Sequence, residues 1–138
     1  MKRTPLAKQS KSPVAVIKRR IQALCREIVI KRDKGCLLRN KRHCGGEIGK
    51  AVLQADHLVT RANSATYGDT RLIVCLCRPC HGGFKQWHKE EYDALVRTIL
   101  PKERVELWDR ALADMHRPQK MDWQLVEIAL KKELKEYE

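Results

Sequence analysis

Apolar side chains recur at Ile17, Ile21, Leu24, Cys25 and Ile28, a spacing that puts them on one face of a helix. Ser12 is a natural N-cap ahead of that stripe, Pro13 suits the first helical turn, and Gly35 is a fitting stop after Asp33 and Lys34. The other face of this helix is basic, with Lys18, Arg19, Arg20, Arg26 and Lys31. Residues 1–12 have no apolar period to fold against and carry Lys2, Arg3, Lys8 and Lys11, which predicts a flexible basic arm ahead of a single domain over 13–138.

The pattern then changes. From Gly35 to Gly49 the chain reads as a loop with a Gly45-Gly46 pair. Ala51 to Val59 reads as a short strand, Arg61 to Asp69 as a turn-rich stretch, and Arg71 to Cys77 as a second, β-branched strand. A helix is placed from about Pro79 towards His88, although Gly82 and Gly83 interrupt it. Beyond that, three amphipathic helices are expected. The first spans Glu90 to Leu100 through Tyr92, Leu95, Val96 and Ile99. The second opens at Pro101, carries Val105, Leu107, Trp108, Leu112 and Met115, and ends at Pro118. The third begins near Asp122, with Trp123, Leu125, Val126, Ile128, Ala129, Leu130 and Leu134 on its inner side. The class is α+β.

Length and composition narrow this. The 138 residues suit one domain. With 43% hydrophobic residues but only 5% aromatic, the core must be aliphatic and thin, so a staple such as a bound metal would help it. The net charge of +12 is lopsided: residues 1–50 hold 15 Lys or Arg against 3 Asp or Glu, whereas residues 51–138 hold 14 against 14. Concentrated positive charge attracts polyanions, and nucleic acid is the leading partner; a solubilising tail is the plainer reading of charge alone. No apolar run approaches the roughly 18 residues of a membrane span, and Lys2-Arg3 is not followed by the apolar core of a secretory signal. The expected location is intracellular, in the cytoplasm. Six cysteines in a reducing compartment read as metal ligands and core thiols rather than disulfides.

The sharpest chemical signal is Cys77-Arg78-Pro79-Cys80-His81. Two cysteines separated by two residues let both thiolates reach one ion, which is half of a tetrahedral zinc site. Cys36 and Cys44 supply the other half across a polar loop of seven intervening residues. Cys75 shares a strand face with Cys77 by the period-two rule and competes for the site, though it and Cys25 also read as small buried apolar residues. Upstream, Gln54-Ala55-Asp56-His57 ends an apolar strand with a carboxylate and an imidazole. Alone, such a pair is an ordinary surface ion pair; beside a cation, Asp56 could ligate it while His57 addresses a nearby water.

In order and spacing, the cysteine pair, Asp56-His57 on a strand, the second strand and Cys77-x-x-Cys80-His81 resemble the four-cysteine branch of the HNH (ββα-metal) nucleases, over Cys36 to about His88. The resemblance implies a small zinc-stapled ββα-metal core over about 50–90, between the basic N-terminal helix and the helical part at 90–138. It implies His57 as general base, Asp56 and His81 as ligands of a catalytic divalent metal, and His88 as a further ligand or phosphate contact. Mg²⁺ or Mn²⁺ would suit such a site, and its mixed oxygen and nitrogen donors also admit Zn²⁺ or Ni²⁺. The slot usually filled by a loop-bracing Asn holds Leu72, and Asn63, Thr70 and Asp69 are the available substitutes, with Asn63 favoured. The basic residues Arg19, Arg20, Arg39, Lys41, Arg42, Arg61 and Lys85 are candidates for contacts to DNA. The stretch from Asp56 onward is similar to phage-encoded members of the family associated with recombination, including those that act on branched DNA, which implies double-stranded or branched DNA as the partner. Two rival readings stand beside this one. One is a catalytically silent zinc-containing module that binds nucleic acid. The other is a protein that docks partners through its C-terminal helices.

Overall fold

In the computed structural model the described residues are 12–42, 44, 52–115, 117 and 119–138. The basic arm expected over 1–12 therefore lies outside them save for Ser12, as do His43, Ala51 and Pro118. Helix α1 spans Pro13–Asp33. The Ser12 side chain accepts from the Ala15 backbone N–H at 3.2 Å and Pro13 opens the first turn, as the sequence leads one to expect. Ile21, Cys25, Ile28 and Val29 are its buried stripe. The left-handed cap falls on Lys34, at φ 59°, one residue before the glycine read as the stop; Gly35 follows at φ 137°, where its lack of a Cβ is needed.

Strands β1 (Leu53–His57) and β2 (Ile73–Cys77) form a two-stranded antiparallel sheet in the register Leu53 to Cys77 and His57 to Ile73. Both are shorter than the apolar runs that predicted them. All five residues of β2, Ile-Val-Cys-Leu-Cys, are buried, so the strand is covered on both faces and its unbroken apolar run follows. Its outer edge is closed by α1 and the turn after it. The Cys75 N–H donates to Asp33 Oδ2 at 2.9 Å, the Leu37 N–H donates to the Cys75 carbonyl at 2.8 Å, and Arg32 donates to the Ile73 carbonyl at 2.6 Å. An edge satisfied in this way does not template further strands. It also ties the chain around Cys36 to the strand that leads to Cys77.

After β2 the chain winds at once into a widened, π-type turn over Cys80–Phe84 that continues into the short α2, Lys85–Trp87. At His88 the backbone departs from helical angles, with φ −133° and ψ 52°, and α3 begins anew at Lys89–Ile99. Helix α4 spans Lys102–Asp114 and α5 Trp123–Lys135, the latter capped by Asp122, which accepts from the backbone N–H groups of Gln124 and Leu125. The three amphipathic helices expected after the sheet are present as α3, α4 and α5, but two of their apolar stripes are narrower than the sequence pattern suggests. Leu125 and Ile128 are each 62% exposed, Ala129 is also exposed, and Leu112 sits at the exposed margin of α4. The inner side of α5 is Trp123, Val126, Leu130 and Leu134, and it packs on α1. Among the described residues no helix is long and apolar enough to cross a membrane.

Candidate metal centre and cleft

Four thiols meet at one end of the sheet. Cys36, Cys44, Cys77 and Cys80 place their sulfurs within 4.8 Å of one another, a cluster that could hold a metal ion such as zinc. Cys36 comes from the turn docked on β2, Cys77 from the last residue of that strand and Cys80 from the first residue of the π-type turn. The Cys36 thiol is pulled down to about 5, first by its hydrogen bond with Cys80 and further by the backbone N–H groups of Cys77 and Leu38, against the effect of burial. The Cys80 thiol is pushed up, chiefly by the same pairing with Cys36. Burial also pushes the Cys44 thiol up, so a cation at the centre of the four sulfurs would bind by displacing protons, since thiolates rather than thiols bind metal. Arg42 donates from Nη1 to Cys80 Sγ at 3.2 Å and lays its guanidinium 3.8 Å from the Phe84 ring centroid. Cys75 and Cys25 stay outside the cluster. Both are buried, and desolvation pushes both thiols up to about 12, as befits inert core residues.

On the other side of the β1 terminus a cleft of about 670 Å³ is lined by α1 through Arg19, Gln22 and Arg26, by β1 through Asp56 and His57, and by the helical turn through His81 and Lys85. Thr60 and Arg61 border it from the loop after β1. Asp56 is only 2% exposed and both of its oxygens are engaged. Tyr92 of α3 donates its hydroxyl to Oδ2 at 2.5 Å; Oδ1 is met by the Lys85 ammonium and, at 3.4 Å, by His81 Nε2. His81 and Lys85 are four residues apart and share the face of the turn that looks at β1. Burial beside Asp56 pushes the Tyr92 hydroxyl up, so it remains a donor.

His57 is the last residue of β1, paired with Ile73. Its Nε2 lies 3.3 Å from the Tyr67 carbonyl and 3.4 Å from the Gln22 side-chain amide. The Tyr67 carbonyl can only accept and is satisfied by hydrogen on Nε2, which leaves Nδ1 as the basic nitrogen, whereas the Gln22 amide nitrogen can only donate and is satisfied by the opposite tautomer. Burial lowers the His57 pKa below its ordinary value, the hydrogen bond to Tyr67 opposes this, and the positive charge of Arg61 adds to the lowering. The ring is therefore neutral at neutral pH.

The remaining residues singled out in the sequence separate into several groups. Asn63 is outside the cleft: its Oδ1 accepts from the Ala65 N–H at 3.2 Å and caps the short turn Ser64–Thr66, which ends at the Tyr67 whose carbonyl meets His57. Leu72 is buried, and its carbonyl accepts from the Leu58 N–H at 2.9 Å, so main chain fastens the strand end just beyond His57. His88 is not brought to Asp56 and His81, because the helix does not run on through it; its ring stands 5.8 Å from that of Phe84, with Nδ1 3.8 Å from Glu91. Of the basic residues, Arg19, Arg61 and Lys85 line the cleft. Arg20 pairs with Glu127 of α5 at 2.6 Å, Arg39 donates to the carbonyls of Asp33 and Cys36, Arg42 supports the thiols, and Lys41 is exposed. Gln22 and Arg26 line the cleft and the buried Tyr92 bonds Asp56 from α3, three roles that the sequence pattern does not single out. Tyr92 had one usable signal, a hydroxyl on an apolar helical stripe that must find a partner once buried.

No protein-family model matches the chain, and no curated protein or solved structure matches it either.

Proposed function

We propose that this chain is a metal-dependent DNA endonuclease of the HNH kind that hydrolyses phosphodiester bonds to 5′-phosphate and 3′-hydroxyl ends. The observation that carries the proposal is the meeting of Asp56, His57 and His81 in one cleft walled by the basic face of α1. None of these side chains is informative alone. Together they supply a basic imidazole, a carboxylate and a second nitrogen donor beside arginines that suit phosphate.

Asp56 and His81 are the residues that would hold the catalytic ion. What favours this pair is that Asp56 Oδ1 and His81 Nε2 converge to 3.4 Å at the cleft. One carboxylate, one imidazole and an open cleft suit an ion that keeps several water ligands, such as Mg²⁺ or Mn²⁺. When bound, such an ion supplies positive charge to the phosphate and to the leaving oxygen. In this reading His57 takes the proton of the attacking water on Nδ1 while its Nε2–H donates to the Tyr67 carbonyl. Arg19, Arg26 and Arg61 draw the phosphate backbone into the cleft, and Asn63 acts through the turn it caps rather than on the reacting atoms. The four cysteines hold a structural zinc that joins the turn after α1 to the helical turn carrying His81.

A second reading, a zinc-containing module that binds nucleic acid without cutting it, is favoured by one observation: Lys85 already neutralises Asp56. Incubation with supercoiled, linear and branched DNA, with Mg²⁺, Mn²⁺ or no added metal, separates the two. The endonuclease reading predicts metal-dependent nicks whose ends a ligase reseals without prior phosphorylation. Binding of all three DNAs with no nick under any metal would establish the silent module instead.

A further inference from the structure

We propose that Lys85 is a tethered counter-ion that keeps divalent metal off Asp56 until a DNA phosphate draws the ammonium away, so that metal and DNA bind this cleft cooperatively. This deepens the nuclease reading and rests on it. Asp56 is buried, and a buried carboxylate needs a compensating charge or it destabilises the fold. Lys85 provides that charge on Oδ1, the oxygen that His81 also faces. Oδ2 is committed to Tyr92. A divalent ion held by Asp56 and His81 must approach the same Oδ1, and an ammonium and a dication at one oxygen repel each other strongly in a partly desolvated site.

Lys85 can leave where the other groups cannot. It sits on a four-carbon stem with a compact, rotatable charge, and its side chain is 19% exposed at the cleft wall, compared with 2% for Asp56. Arg26, by contrast, is fastened to the Leu53 carbonyl at 2.9 Å. A backbone phosphate entering between α1 and the helical turn offers Lys85 a new anion within the same cleft. The carboxylate this exposes is then compensated by the incoming dication. Each ligand removes the other's obstacle, and by linkage each raises the other's affinity by the same factor.

The test is Mn²⁺ binding, read by the loss of the free-ion paramagnetic resonance signal. It uses the full chain loaded with one equivalent of zinc, in a His57→Ala background so that no DNA is consumed. With Lys85 present, Mn²⁺ should bind weakly alone and at least about tenfold more tightly once a short DNA duplex is added. Lys85→Met should bind Mn²⁺ tightly without DNA and gain little from the duplex, whereas Lys85→Arg, which keeps the charge, should behave like Lys85. Should Lys85→Met not fold, Lys85→Gln carries the same expectation. Equal Mn²⁺ affinity for the neutral and charged variants without DNA, with binding in every case, would overturn the counter-ion role and leave the nuclease reading intact. No Mn²⁺ binding by any variant with or without DNA would overturn both.

Discussion

Asp56 and His57 are adjacent on one strand, yet their surroundings give them different chemistry. Asp56 has an ammonium on one carboxylate oxygen and a phenol hydroxyl on the other. His57 is held neutral by burial and by cationic neighbours. A depressed imidazole pKa has a definite sign for catalysis. The basic form persists below the ordinary value of about 6.5, and activity is lost only as pH falls through the depressed value. The rate of metal-dependent nicking should therefore be flat above about pH 6.5 and decline on the acid side with an apparent pKa below that figure. A decline already centred above it would mean that another group titrates. At this scale much was legible from spacing. Two cysteines with two residues between them, followed at once by His81, and an Asp-His pair at a strand end mark the candidate site from sequence. The partners Lys85 and Tyr92 were not legible as such, because they reach Asp56 across 29 and 36 residues of chain and nothing local in the sequence records that meeting.

Between elements, the packing of α5 on α1 and on the loop before β2 turns on small spaces that hydropathy does not encode. Gly68 is the clearest. A Cβ added there would fall 2.6 Å from Val126 Cγ1 and 3.4 Å from Ile21 Cγ2, and valine is too stiff to turn aside. Gly68→Ala should lower stability by about 1–3 kcal/mol, and Val126→Ala in the same chain should recover part of it, both read by thermal melting. An unchanged melting temperature in Gly68→Ala would show that α5 does not sit as described. The same interface explains why the buried stripe of α5 is narrower than its apolar sequence pattern. Glu127 lies on its inner side, paired with Arg20, while Leu125 and Ile128 face outward, so polarity and burial do not coincide. The break at His88 has a similar origin. Gly82 and Gly83 warned of an irregular helix, but a π-type turn and a fresh start at Lys89 cannot be read from two glycines.

Over the whole molecule, a two-stranded sheet is too small to fold on its own merits and needs what surrounds it. Here α1 covers one side, and the four thiols join the turn after α1 to the end of β2 and the start of the helical turn. A metal bound by those thiols is therefore coupled to folding. Purified protein should hold about one zinc per chain, and Cys77→Ser with Cys80→Ser should lose both the metal and the cooperative thermal transition. Full retention of the transition by that double variant would remove the cysteine cluster from any account of the fold. The α+β class, the order of elements and the four cysteines were all legible at this scale. The choice of α1 as one wall of the cleft was not, because it depends on how a distant helix crosses the sheet.

The central claim is that the cleft cuts DNA through His57 and not merely that it binds. Its most direct measurement sets wild-type protein beside His57→Ala on supercoiled plasmid in Mg²⁺ or Mn²⁺, with DNA affinity measured on the same preparations. The account predicts metal-dependent nicking by the wild type, none by His57→Ala, and DNA affinity unchanged between them. Nicking by His57→Ala at the wild-type rate would contradict it.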